Sequence, residues 1–193
     1  MHPIPALNRT VAPTSEPVTL PNAKKHLNVL LPDDDTLIRD LLKAAREQFE
    51  DRTGRVLMTQ TWEQLFDWFP NTIQLLRSPV QSVTKIEYID TEGVTQTLAT
   101  SEYVLDAKSE PARIVEAFGK SWPTTRDTVN AVTVTFLAGY TTAALVPPSI
   151  KAAIKLMLGH LYEHREAVVM GGAPVTMPMA VDALLAQHRV PWV

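Results

Sequence analysis

The sequence has 193 residues and a mass of 21.4 kDa, enough for one compact domain or two small lobes. Hydrophobic residues at 45% and charged residues at 20% argue against a disordered or fibrous chain, and a formal charge of -3 argues against one whose main work is neutralising nucleic-acid phosphates. Zero cysteines exclude a disulfide framework, a thiolate zinc site and a Cys nucleophile. No apolar leader opens the sequence and no apolar run reaches the roughly 18 residues of a membrane span, so the expectation is an intracellular, soluble chain with no membrane partner.

In chain order, residues 1–18 carry Pro3, Pro5, Pro13 and Pro17, whose fixed φ and missing amide donors argue against a helix or a central strand. They predict an extended arm. From Thr19 to Leu31, the spacing of Leu20, Ala23, Leu27 and Leu30 predicts a short helix, with Thr19 as cap and Pro32 as stop. A longer helix is predicted between Asp33 and Thr53. There Leu37, Ile38, Leu41, Leu42, Ala45 and Phe49 form one apolar stripe, while Arg39, Asp40, Lys43, Arg46, Glu47 and Glu50 face away from it. Asp33, Asp34 and Asp35 read as caps for its first amides rather than as a calcium loop, whose alternate spacing and distal Glu they lack; Gly54 supplies the stop.

From Leu57 the period changes to two. Trp62, Gln64 and Phe66, then Ile86 and Tyr88, then Val132, Val134 and Phe136 alternate with polar neighbours, the pattern of half-buried strands. Turn signals at Pro70-Asn71, Thr91-Glu92-Gly93, Ser109-Glu110-Pro111 and Trp122-Pro123 divide the stretch into six or seven short strands. With no crossover helices, an antiparallel meander or small barrel is expected.

Helical period resumes after Pro147-Pro148, with Ile150, Ile154, Met157, Leu158 and Leu161 as the stripe and an end expected near Ala167, before the breaker Met170 to Pro174. A last helix is expected from Ala180 to His188, followed by the apolar tip Val190-Pro191-Trp192-Val193. The fold class is therefore α+β: a helical base, made of the long amphipathic helix and C-terminal helices, with an inserted antiparallel β module. Its divisions are an arm (1–18), a first part of the helical base (19–56), the β module (57–140), a second part of the base (141–188) and a tip (189–193).

The sharpest enzymatic pattern is His160-Leu161-Tyr162-Glu163-His164, formally the H-x-x-E-H of a zinc hydrolase, in which two imidazoles a helical turn apart bind the metal and Glu163 acts as base. No third ligand is evident, and both histidines lie beside the apolar stripe, where imidazoles commonly pack and hydrogen-bond. Gly-rich phosphate loops and a G-x-S-x-G elbow are absent. Lys24-Lys25-His26, Lys151 and Lys155 read as solvated helix faces before they read as DNA contacts. Trp192 has two open readings, an anchor in a partner or a cap on its own domain.

The segments TLPNAKKHLNV, AREQFEDRTGRVLMTQTWE, SPVQSVTKIEYIDTEG, SEPARI, SWP, NAVTVTFLAGY and VPPSIKAAIKLMLGHLYEHREAV, taken together and in this order from about Thr19 to His188, resemble the head-tail connector (adaptor) family of tailed bacteriophages and prophages. That family's last long helix reads H-W-Y-E-N-R-E-A-V; His160, Tyr162, Glu163, Arg165, Glu166, Ala167 and Val168 match it, whereas Leu161 and His164 depart. The second histidine of the supposed zinc pair thus stands where the family has a side chain with no metal role.

The resemblance implies a structural protein with no catalytic residues, metal or cofactor. It implies a homo-oligomeric ring, expected to hold twelve copies, that docks beneath the portal, extends the DNA channel and presents a surface to tail or tail-completion proteins. Its place would be the virion neck, after assembly in the host cytoplasm. On that reading, Arg39, Lys43, Arg46, Glu47 and Glu50, with the arm residues Pro3, Pro5 and Pro13, are candidate subunit contacts. Arg189, Val190, Pro191, Trp192 and Val193 are candidate portal contacts. The rival readings are a zinc hydrolase built on His160, Glu163 and His164, and a DNA-binding packaging accessory.

Overall fold

Helical patterning carries directly into the computed structural model, which describes residues 5–164 and 179–191. The protein is α+β. It divides into two compact units: the described residues of Met1–Pro13, Thr59–Tyr140 and Val190–Val193 form a β unit, and those of Thr14–Met58 and Thr141–Arg189 form a helical unit.

In the helical unit, α1 (Leu20–Leu27) stops at Asn28, which takes the left-handed conformation (φ 57°) and donates its amide to the Lys24 carbonyl. Expected to run to Leu31 and stop at Pro32, the helix ends earlier because asparagine tolerates this conformation and closes the last turn. The long helix, α2 (Asp35–Thr53), ends at Gly54 with φ 72°. Ile38, Leu42, Ala45 and Phe49 are its buried stripe, with Leu37 and Leu41 on the shoulders. Its start departs from expectation. Asp34 occupies the cap position without a side-chain capping bond. Asp34 instead accepts a hydrogen bond from the Tyr162 hydroxyl, and Asp35 pairs with Lys24 at 2.6 Å. These carboxylates therefore tie α2 to other elements of the unit as well as lying at the positive end of its dipole.

The third helix, α3 (Pro148–Glu163), begins on proline, as a first turn permits, and buries Ile150, Ala153, Ile154, Met157 and Leu158. Its described part runs to Glu163 with His164 as cap, and the expected end near Ala167 lies outside the described residues. The last, α4 (Met179–Ala186), buries Val181 and Leu185. Helix α2 packs against α1, α3 and α4, so its stripe is the centre of this unit's core.

The β unit has strands β1 (Ala6–Val11), β2 (Gln60–Phe66), β3 (Ile73–Gln74), β4 (Val80–Ile89), β5 (Thr95–Thr97), β6 (Tyr103–Asp106), β7 (Arg113–Glu116) and β8 (Val132–Ala138). Every pairing is antiparallel, but the order is neither a meander nor a closed barrel. One sheet runs β1-β2-β8-β4-β5 and a second runs β3-β7-β6. Strand β8 is inserted between β2 and β4, so Val134 faces Gln64 on one side and Ile86 on the other, and Phe136 faces Trp62 and Val83. Its central place explains why Thr135 is buried along with Val132, Val134 and Phe136. Within the span read as an arm, Ala6–Val11 pairs with β2 as an edge strand of the same chain. The prolines Pro5 and Pro13 flank this strand and leave its amides free to pair.

Polar side chains set two further features. The Gln64 side chain, fully buried, donates to the Gln74 carbonyl at 2.8 Å and accepts from the Leu76 amide at 2.9 Å, tying β2 to the β3 segment. At the β6–β7 turn, the Ser109 hydroxyl, the Ser109 and Lys108 amides and the Arg113 guanidinium converge on Asp106 and hold its carboxyl down to about 2.

Candidate assembly surfaces

Charge on α2 sorts into two groups. Arg39 and Lys43 are exposed and Glu47 is half-exposed, each at the helix surface where another molecule could reach it. Arg46 and Glu50, read from the sequence as part of the same outer face, are buried within the subunit at 3% exposure each. The reason is packing from a distant segment. Glu16 accepts from Arg46 Nε at 2.8 Å, while Glu50 Oε2 accepts from Arg46 Nη1 at 2.8 Å and Glu50 Oε1 accepts from the Leu57 amide at 2.8 Å. Burial alone would lower the Arg46 guanidinium's proton affinity; the charges and hydrogen bonds of Glu50 and Glu16 outweigh it, and the net shift is upward. This cluster cements the helical unit.

The supposed zinc pair is occupied differently. The rings of His160 and His164 lie 4.7 Å apart, and His164 Nδ1 sits 3.0 Å from the His160 carbonyl, so the imidazole serves the last turn of α3. Among the described residues no group of three His, Asp or Glu side chains is placed to hold a metal. Tyr162, from the same motif, is the residue bound to Asp34. Lys24 is no solvated face either: its ammonium holds both Asp35 and, at 2.9 Å, the Leu31 carbonyl.

The chain's end is anchored by a second polar set. His188 Nε2 lies 2.8 Å from the Ser149 hydroxyl, its ring packs 6.5 Å from that of Phe49, and its carbonyl accepts from Arg55 Nε at 2.7 Å. Burial first, and the Arg55 charge second, push the imidazole below its ordinary value of 6.5. The folded form thus binds this proton more weakly than the unfolded chain does, so its contribution to stability is full above 6.5 and is lost as pH falls below that value. Denaturant unfolding at about pH 8 and about pH 5 should show a loss at the lower pH that is smaller in His188→Gln; equal losses in the two proteins would refute it.

Of the candidate portal contacts, Arg189 is exposed and donates to the Arg52 carbonyl at 3.4 Å, Pro191 is exposed, and Val190 is fully buried. The sequence offered no sign that Val190 belongs to a core, since it reads as the first residue of a short apolar tip after a polar exit. Trp192, Val193 and Pro3 lie outside the described residues, as do Arg165, Glu166, Ala167 and Val168 of the family-like helix motif.

Residues 17–109 match the family model of the phage gp6-like head-tail connector protein. The whole chain superimposes on a chain of the neck of an empty gene transfer agent particle computed with C6 symmetry, with a TM-score of 0.79, 26% identity and 97% of each chain covered. The chain is thus similar in sequence to head-tail connector proteins and in fold to a neck subunit. The connector-like fold recurs in the neck of the native particle computed with C12 symmetry (TM-score 0.78, 26% identity, 97% of each chain) and in the native virion of that agent (0.78, 25%, 97% of this chain and 96% of that one). No curated protein matches it. A connector-like chain has a structural role, consistent with a virion location and a non-enzymatic protein.

Proposed function

We propose that this chain is one subunit of a twelve-membered ring at a phage-like head-tail junction, set beneath a portal, with DNA passing through its centre and a tail or tail-completion protein below. The supporting observation is the match over 97% of both chains to subunits of symmetric necks. A ring of identical subunits needs two different, complementary flanks, because head-to-tail contacts close only when the rotation closes. Exposed charges of both signs at Arg39, Lys43 and Glu47, and the edge strand flanked by Pro5 and Pro13, are suitable flank material; Arg46 and Glu50 act behind them by holding α2 in place. A formal charge of -3 suits a channel that must let DNA slide. Imaging of the purified protein alone and mixed with its portal tests the reading: a ring on the portal's tail-facing end is expected, and absence of any ring or portal complex refutes it.

The C-terminal tip is proposed as the portal contact, with Trp192 as its aromatic anchor. Trp192→Ala, or truncation after Pro191, should weaken portal binding by about 30-fold, a loss of about 2 kcal/mol, and leave the melting temperature unchanged. Truncation after Arg189 is a different experiment, since it also removes the buried Val190 and should cost about 1.5 to 3 kcal/mol of stability. Unchanged affinity with lost stability in Trp192→Ala would place the indole in the subunit's own core.

A further inference from the structure

Phe118 and Leu30 are the two most exposed large apolar side chains among the described residues, at 106% and 90%, and Leu31 follows Leu30 at 68%. An exposed apolar residue on a loose loop means little, but neither of these is loosely held. Phe118 stands at the second position of a four-residue turn closed by the Lys120 amide on the Ala117 carbonyl at 2.9 Å, with Gly119 third at φ 74°, as a type II turn requires. The turn is pinned from outside by the Ala117 amide on the Glu102 carbonyl, by Lys120 on the Glu102 carboxylate at 2.9 Å and by the Trp122 amide on Glu116 at 2.8 Å. Trp122 in turn stacks on Phe69, their rings 4.9 Å apart. Leu30 and Leu31 are fixed by the left-handed Asn28 before them and by Lys24, which grips the Leu31 carbonyl and Asp35.

We infer that Phe118 of one copy seats on the Leu30–Leu31 pair of the next copy. The inference rests on the ring reading above, and three observations favour a second copy as the occupant. A closed head-to-tail ring needs two unlike patches on one chain, and the described residues supply the fully exposed Phe118 ring in the β unit and an apolar pair in the helical unit. Two of the cations beside these patches are already paired within their own unit, Lys120 with Glu102 and Lys24 with Asp35, so apolar contact leaves neither of them without a counter-charge. Both patches are preorganised, so little conformational freedom is lost when they meet. A phenylalanine buries about 150 to 250 Å², the scale of one anchor within an interface of about 800 Å² per partner.

The chain has no cysteine, which gives a direct test. Phe118→Cys and Leu30→Cys, made as separate proteins and mixed under mild oxidation, can only cross-link between copies. A disulfide-linked dimer in the mixture, well above that from Val104→Cys mixed with Leu30→Cys, is expected. Phe118→Ser should weaken ring association by about 30-fold with unchanged thermal stability. Wild-type rings accompanied by equal rings in Phe118→Ser, or by cross-linking no better than the Val104 control, overturn the docking alone. Intact Phe118→Ser rings that lose a tail-side protein overturn it in favour of that protein, whereas a wild type that never forms rings overturns the ring reading itself.

Discussion

Arg46→Ala is expected to destabilise the helical unit by about 3 to 5 kcal/mol, the range seen when one member of a buried ion pair is removed and its partners stay charged. The magnitude follows from what is left behind. Glu50 is as buried as Arg46 and would lose the Arg46 guanidinium, and Glu16 would lose its tie to α2. Arg39→Ala, on an exposed position of the same helix, should change stability by less than about 0.5 kcal/mol. Denaturant unfolding of both variants checks the contrast. Adding Glu50→Gln to Arg46→Met should restore part of the loss, because the buried carboxylate that Arg46 no longer faces is then neutral. Equal, small effects for Arg46→Ala and Arg39→Ala would mean that the cluster is solvated in solution.

Gln64→Leu should cost the β unit about 2 kcal/mol or more, although the two side chains are similar in size. Leucine fills the space but leaves the Gln74 carbonyl and the Leu76 amide without partners. Gln64→Glu separates the two bonds. Its carboxylate still accepts from Leu76 but faces the Gln74 carbonyl with a buried charge, so its pKa must rise. The folded form then binds a proton more tightly than the unfolded chain, and the variant should regain stability as pH is lowered. A flat pH response in Gln64→Glu, measured against wild type, would show that Gln64 is not enclosed as the structure has it.

The helices were legible from local pattern because their periodicity, proline starts and the Gly54 stop act within a few residues, although the Asn28 stop of α1 was not read. Ile38, Leu42, Ala45 and Phe49 announce a buried face wherever the helix sits, and Gly54 ends it for reasons of backbone sterics. Strands β2, β4 and β8 were legible for the same reason, from alternation, while the turn signals gave only the approximate number of short strands among them. The connector likeness was legible too, as an ensemble of segments whose order is itself information.

Strand order was not legible. A period of two says which residues share a face and nothing about which strand lies alongside, so β8 between β2 and β4 comes only from pairing across some 70 residues of chain. Nor could the pattern show that Arg46 and Glu50, polar and on the far side of the stripe, are covered, since the cover arrives from Glu16, thirty residues earlier. Val190 misled in the opposite sense, an apolar residue that reads as part of a partner-binding tip until the fold buries it. In each case the missing information is a contact between distant parts of the chain, and burial and pairing are properties of such contacts, whereas propensity and periodicity belong to the segment itself.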